Sequence, residues 1–530
     1  MRHSATLLAL LSLSLGSWAQ DTYSNYSMTS TADVIGSARY VGMGGAMGAL
    51  GADISAISNN PASLGLFRRN DASFTLGVGV QDDTPAEGAP RTRMSFDQLG
   101  LVFASSATED TRFVWGVNLQ KKANFGHSFT AGSSSLHGFS QAAQLAAIYG
   151  MYPGMSEGAL PARAFAALLY DLPDGVGVTS SAYDFYRNTR GYLYGLDINL
   201  TIAHQDRVYV GATMGLDFMR YRSTMRYMET RDGTDGSVQD YDLESNHRVS
   251  GEGLNIKLGA IFRPIEDSPF RFGITVETPT WYTFTQERSY HSFASKWDYL
   301  GYDEQAQVYV YDYLPDGQYA IYDSPDGNEL DFNVFSPWKL RAQIGSTIGR
   351  SFAWDVEYEY AFTDYTKMGY PTDYDSDGPS INMDKDVAMS RLTHATMQGV
   401  HNVRAGFEYK PVPEFAVRAG YNYWSKPMKS SARLDQSIDS YAMEYTVSTD
   451  YMNLGATNML TIGMGYRHNG FYADVAYKYR AQHADFYPFD DQFQAYGVSE
   501  AQFGVTADAL EPQRLNLDRH NVVLTLGYKF

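Results

Sequence analysis

From Phe352 to Phe362 the chain alternates without a break. Even positions read Phe352, Trp354, Val356, Tyr358, Tyr360 and Phe362, and odd positions read Ala353, Asp355, Glu357, Glu359 and Ala361. A period of two is that of a β-strand with unlike faces. The split recurs with Phe415, Val417, Ala419, Tyr421 and Tyr423 against Arg418, Gly420 and Asn422, and with Val475, Tyr477 and Tyr479 against Asp474, Lys478 and Arg480. It recurs again with Phe270, Phe272, Ile274 and Val276 against Arg271, Thr275 and Glu277. Alternation alone does not say which face is inside. A soluble sandwich hides its apolar face from water, whereas a membrane barrel turns it to lipid.

Loop lengths break the tie. The pattern predicts fourteen strands, at 72–81, 95–105, 112–123, 190–204, 207–228, 247–263, 269–287, 331–349, 351–365, 399–410, 414–426, 455–468, 470–482 and 519–530. Every second link is a short turn, at 107–110, 205–206, 264–268, 350, 411–413 and 469, and the links between them are long, above all 124–189. Short periplasmic turns and long extracellular loops are the rhythm of an outer-membrane barrel. The expected fold is therefore all-β, a 14-stranded antiparallel transmembrane β-barrel spanning residues 71–530 with the lipid bilayer around it. Its last strand alternates through Val522, Leu524, Leu526 and Tyr528 to a terminal Phe530. Such a strand is what barrel assembly machinery engages during biogenesis, and pairing it with the first strand removes both edges.

Residues 1–19 carry Arg2, an apolar stretch from Leu7 to Leu15 and the ending Ser17-Trp18-Ala19, the pattern of a cleaved signal peptide. No later segment has the ~20 consecutive apolar residues of a membrane helix. The chain contains no cysteine, which excludes disulfides, thiolate metal sites and a cysteine nucleophile. Tyr 41, Phe 28, Trp 7 and Gly 48 fit aromatic girdles and close-packed strands, although composition alone would also suit a sandwich or propeller. A net charge of −19 leaves no basic face for nucleic acid.

Between signal peptide and first strand, residues 20–70 show no strand pattern. They hold the small-residue run Gly42-Met43-Gly44-Gly45-Ala46-Met47-Gly48 and then Asn60-Pro61-Ala62-Ser63-Leu64. The glycines do not complete a dinucleotide fingerprint, because Met47 stands at its last position. Small residues let a backbone pack closely inside something else, and Met43, Met47, Leu50, Ile54, Ile57, Leu64 and Phe67 are too many for a disordered tether. An N-terminal plug, or hatch, is expected.

The stretch Ala38–Leu66, with Gly42-x-Gly44-Gly45-Ala46, Ala52-Asp53 and Asn60-Pro61-Ala62-x-Leu64, resembles the FadL/TodX family of outer-membrane transporters. It looks most like the Bacteroidetes branch often labelled haemin receptors. The resemblance implies a hatch centred on Asn60, Pro61, Ala62 and Leu64, an outer hydrophobic groove and a sideways opening into the bilayer. It also implies passive uptake of hydrophobic small molecules such as long-chain fatty acids. Two alternatives stay open: a non-transporting barrel in an envelope protein-export or surface-attachment machine of type IX kind, and a haemin receptor.

Several residues are candidates for more specific roles. In the longest loop, Phe139–Tyr149 and Pro161–Tyr170 carry helical spacing, so Leu145, Ile148, Phe165, Leu168 and Leu169 are candidates for an outer groove, or equally for a lid. Lys121 and Lys122 are candidate head-group contacts, near where the family opens. The other charges expected inside, Lys339, Arg341, Asp355, Glu357, Arg404, Glu408, Arg418 and Lys478, have both signs interleaved and are expected to pair with one another and with the plug. Asp373, Asp375, Asp377 and Asp384 copy the spacing of a calcium loop, without evident flanking helices; an acidic solvated loop is the other reading. Gly154-Met155-Ser156-Glu157-Gly158 matches a hydrolase motif but lacks its preceding strand. The histidines show no metal spacing, and neither an enzyme nor a cofactor other than calcium is indicated.

Overall fold

The computed structural model describes residues 22–81, 90–106, 108–141, 178–233, 241–295, 297–303, 305, 308–315, 318, 320–323, 330–375, 378–379, 381–435, 438, 440, 449–490 and 510–530. Fourteen strands form one antiparallel sheet. They are β1 (Asp71–Gln81), β2 (Thr92–Ser106), β3 (Thr111–Asn124, continued by His127–Ser133), β4 (Val178–His204), β5 (Val208–Gly233), β6 (Tyr241–Phe262) and β7 (Arg271–Glu277, continued by Trp281–Ser295). The second half has β8 (Leu330–Phe335, continued by Lys339–Ile348), β9 (Phe352–Ala361), β10 (Val400–Val412), β11 (Phe415–Trp424), β12 (Tyr451–His468), β13 (Phe471–Tyr487) and β14 (Gln513–Asn516, continued by Arg519–Lys529). Strand β14 pairs back with β1, from Asp71↔Lys529 to Gln81↔Arg519, which closes the cylinder.

The two faces differ as a bilayer requires. On β9, Asp355, Glu357 and Glu359 point inward and are buried, while Tyr358 points outward and is exposed. On β12, Leu460, Ile462 and Met464 are exposed and Thr461 between them is buried. Exposed apolar side chains ring the outside, Trp115, Leu200, Val210, Leu258, Phe407 and Leu526 among them. Apolar surface on this scale is stable only against lipid. Two of the tight turns are two-residue connections with both central residues left-handed, Gln205-Asp206 (φ 52° and 53°) and Asn469-Gly470 (φ 49° and 88°), matching the twist of the flanking strands.

The fourteen expected strands are present, with different ends. Strand β4 begins at Val178 rather than 190, and β3 continues to Ser133, so the expected 124–189 loop is much shorter. Strands β7 and β8 are each interrupted, at 278–280 and 336–338, where Pro279 and Pro337 cannot donate to the ladder. A helix, α3 (Val387–Thr396), stands where only loop was expected, and its N-cap Asp386 accepts from the Met389 amide at 2.8 Å. Among the described residues no helix is long and apolar enough to cross a membrane.

The N-terminal segment runs through the lumen as α1 (Thr22–Thr29), α2 (Ala38–Gly42) and two 3-10 turns, Ile54–Ser58 and Pro61–Leu66. Helix α2 touches β11, β12, β13 and β14, while the Pro61–Leu66 turn touches β3, β4, β5 and β6. The segment thus reaches opposite walls.

Candidate functional site

Both small-residue motifs of the N-terminal segment are seated on glycines of the wall. Gly44 has φ 64°, and a Cβ there would lie 2.8 Å from the amide nitrogen of Tyr421 on β11. A Cβ on the neighbouring wall residue Gly420 would lie 2.2 Å from the Gly44 nitrogen. Across the lumen, Asn60 caps its own turn by accepting from the Ala62 amide at 3.0 Å and donates to Gln343 Oε1 at 3.1 Å and the Ala260 carbonyl at 3.2 Å. The Pro61 carbonyl accepts from Thr201 Oγ1 at 2.9 Å and Asn199 Nδ2 at 3.2 Å. Leu64 packs with Ile54, Ile57, Phe67, Val102 and Val114.

Inward carboxylates complete the seat. Glu357 accepts from the Met47 amide at 2.7 Å and Asn59 Nδ2 at 2.8 Å, and Asp355 accepts from the amides of Leu50 at 2.8 Å and Ala49 at 3.0 Å. Arg39 binds Glu408 at 2.9 Å. Asp33 binds Lys478. Burial would raise the Asp33 carboxyl, but Lys478 and Arg480 outweigh it and hold it down at about 2. The remaining charges pair across strands: Arg341 with Glu277 at 2.6 Å, Arg404 with Glu359 at 3.0 Å, and Arg418 with Asp474 at 2.6 Å. Each expected inner charge thus has a partner, as desolvated charge requires.

At the long-loop end of the lumen, around α1, lies an apolar cluster rich in methionine. It joins Tyr23 and Met28 of α1 to Met219, Phe284, Phe332, Met389, Met397 and Met428, and it reaches β3 and β4 at Ala123, Phe125 and Leu193. Beneath it is a cavity of about 80 Å³ lined by six basic side chains, Lys121, Lys122, Lys257, Lys339, Arg341 and Arg404, and four acidic ones, Asp33, Asp217, Glu277 and Glu359.

The wall fails beside that cluster. The β2–β3 ladder ends at Gln98↔Gln120, and among the described residues no strand pairs with the β3-facing edge of Thr92–Phe96. Two irregularities cause this. Strand β2 bulges at Asp97, since Thr75 pairs with Gln98 and Leu76 with Phe96. Strand β3 slips at Lys122 against β4 and breaks at Phe125-Gly126. Its continuation is drawn toward β1 and β14, where the Ser128 amide donates to Gln81 Oε1 at 3.1 Å and the Gly132 amide to Gln513 Oε1 at 2.6 Å.

A solved structure shares this architecture. A Pseudomonas aeruginosa FadL homologue aligns with a TM-score of 0.50 at 12% identity, over 95% of this chain and 99% of its own. The chain has the FadL fold. The Pseudomonas putida toluene transporter TodX aligns at 12% identity over 95% of this chain and 100% of its own, with a TM-score of 0.49. The Ralstonia pickettii toluene transporter TbuX aligns at 12% identity over 94% and 99%, with a TM-score of 0.44. No family model and no curated protein matches the chain.

Within this FadL fold the expected site residues fall in distinct places. Asn60, Pro61, Ala62 and Leu64 meet the wall, and it is the preceding Ser58 and Asn59 that line the charged cavity. Lys121 lies 3.8 Å from Asp97, and Lys122 lies 2.6 Å from Asp217 and 3.3 Å from Asp197. The slip at Lys122 explains how two consecutive lysines both serve interior carboxylates. Leu145, Ile148, Phe165, Leu168 and Leu169 lie outside the described residues, as do Ser156, Asp377 and the signal peptide. Asp375 pairs with Gly378 in a short hairpin, and Asp373 and Asp384 are exposed, Asp384 on a strand beside Tyr370. Contrary to the sequence reading, a helix does follow Asp384, though a strand and not a helix precedes the acidic run. Among the described residues no group of three or more acidic or histidine side chains could hold a metal ion.

The residues at the break, Arg93, Phe96, Asp97 and Tyr194, were not singled out from sequence. A signal was present: Lys121-Lys122-Ala123-Asn124-Phe125-Gly126 abandons the alternation that the rest of β3 keeps.

Proposed function

We propose that the protein is an outer-membrane channel for passive uptake of hydrophobic compounds, long-chain fatty acids among them. In this reading a signal peptide over residues 1–19 directs export, and ligand enters through the long loops and dissolves into the methionine-rich cluster. It leaves sideways through the break between β2 and β3. The observation that carries the reading is the meeting of these two features, since the buried apolar cluster runs through Phe125 to the point where the wall loses its ladder. A polar solute would gain nothing there. An apolar tail gains about 25 cal/mol per Å² buried, so retention rises with chain length.

The basic side chains around the cavity below are each held by a carboxylate, Lys121 by Asp97, Lys122 by Asp197 and Asp217, Lys257 by Asp197, Lys339 and Arg341 by Glu277, and Arg404 by Glu359, so it is the apolar part of the ligand that is selected. Methionine side chains adapt to varied apolar shapes, which suits a broad ligand set. The resemblance of Asn60-Pro61-Ala62-x-Leu64 to the FadL/TodX hatch points the same way.

Mass spectrometry of small molecules co-purifying with the protein tests the reading. Long-chain amphiphiles enriched over a control barrel from the same membranes are expected. Absence of any hydrophobic ligand, with other envelope proteins present at fixed stoichiometry, would favour an export-machine component instead.

A further inference from the structure

Where the ladder between β2 and β3 stops, two side chains take its place. Tyr194 on β4 reaches across and donates from its hydroxyl to the Phe96 carbonyl at 2.7 Å. Arg93 on β2 reaches the other way and donates from Nη1 to the Thr189 carbonyl at 3.3 Å. The Tyr194 and Phe96 rings stack with centroids 6.0 Å apart and planes 28° from parallel, and Lys121 Nζ sits 5.4 Å from the Tyr194 ring centre. The acceptors are main-chain carbonyls, one of them on the strand edge that has lost its partner. Arg93 also lies over Gly126, where any Cβ would come within 2.2 Å of its Nη1, so the break in β3 leaves the space that Arg93 occupies.

A main-chain ladder and a side-chain bridge differ in what opening them costs. Parting a ladder moves backbone and breaks a row of hydrogen bonds together. Swinging a tyrosine or an arginine moves only side-chain torsions and gives up one bond of about 1 kcal/mol. We propose that Tyr194 and Arg93 form a latch across this window, that it opens by side-chain rotation, and that the Tyr194 and Phe96 rings set the width of ligand allowed through. The inference rests on the transport reading above and deepens it by naming what regulates exit. A long, narrow apolar chain passes between the two rings with a single rotation. A branched or fused-ring compound needs both latches open at once.

The absence of cysteine makes a clean test available, because introduced thiols are the only ones in the chain. The double variant Phe96→Cys/Tyr194→Cys is treated with a short reversible bis-thiosulfonate cross-linker, and uptake of a labelled long-chain fatty acid is followed in cells before linking, after linking and after reduction. Tyr194→Phe and Tyr194→Ala are measured beside it, with heat-dependent gel mobility reporting that each barrel is folded. The latch predicts uptake lost on linking and restored on reduction. It predicts a rise of about fivefold for Tyr194→Phe, the equivalent of one hydrogen bond. It further predicts that Tyr194→Ala admits a bulky polycyclic compound that the wild type excludes. Unchanged uptake after linking, with wild-type uptake intact, would overturn the latch and leave the transport reading standing. A wild type without uptake would overturn the transport reading, and the latch with it.

Discussion

Gly259 on β6 faces Asn60 so closely that a methyl group in its place would lie 2.1 Å from the amide oxygen. On the adjoining strands, a Cβ on Gly211 would lie 2.6 Å from the Pro61 carbonyl carbon, and one on Gly273 would lie 2.9 Å from Asn60 Nδ2. The Asn-Pro-Ala turn therefore sits in a cradle made by leaving out side chains. Gly259→Ala should unseat the turn at a cost of about 1–3 kcal/mol while leaving the barrel folded, because β6 keeps its ladders. Planar-bilayer conductance checks this: more frequent openings than wild type are expected, and conductance equal to wild type would show that the turn is not what closes the lumen.

On β9, two strands round the wall from Gly273, the seat is electrostatic. Glu357 accepts from the Met47 and Gly48 amides and from Asn59, and pairs with Arg404 at 3.2 Å. Glu357→Ala strands the Met47 and Gly48 amides, while Asn59 keeps the Gly45 carbonyl and Arg404 keeps Glu359, so the segment should weaken by roughly 2 kcal/mol or more. Hydrogen exchange would then show faster exchange at Met47 and Gly48 with the β9 amides unchanged.

How much of this was legible in the sequence follows from where lipid acts. Trp354 and Asp355 must face opposite ways because one side is hydrocarbon, so the alternation there is plain. Beyond the bilayer that demand lapses. In β4, Thr179, Ser180 and Ser181 still pair with β5, or lie at its bulge, yet their pattern is polar throughout, and the strand start was placed twelve residues late, 190 against 178. Pro279 and Pro337 were visible and should have split β7 and β8. Asp386 with Met389, Leu392, Thr393 and Thr396 was likewise a readable capped helix. The latch was not readable. Tyr194 looks like any outward aromatic until the register of β2 against β3 is known.

The Asp33–Lys478 pair ties the start of the N-terminal segment to β13. Asp33 is held at about 2 when folded, against an ordinary value of 3.8. A depressed carboxyl contributes fully above its unfolded value and loses that contribution as pH falls through its folded value. The tie should therefore be intact at neutral pH and be lost between about pH 4 and pH 2, worth on the order of 2 kcal/mol. Limited proteolysis near residues 30–36 across that range should show the change, and Asp33→Asn should abolish its pH dependence.

Ile462 projects outward from the middle of β12 and is 61% exposed. If that face meets hydrocarbon, Ile462→Arg should cost roughly 2–4 kcal/mol in bilayer refolding experiments. A substitution without effect would place this part of the barrel in water.

The most direct test of the account is uptake itself. The protein is expressed in a Gram-negative host that lacks its own channel for hydrophobic compounds, and entry of labelled fatty acids of increasing chain length is compared with entry of a polar sugar of similar mass. Fatty-acid uptake above the empty-vector control, increasing with chain length while sugar entry stays at background, is the predicted result. Uptake of both at equal rates, or of neither with the barrel correctly assembled, would contradict it.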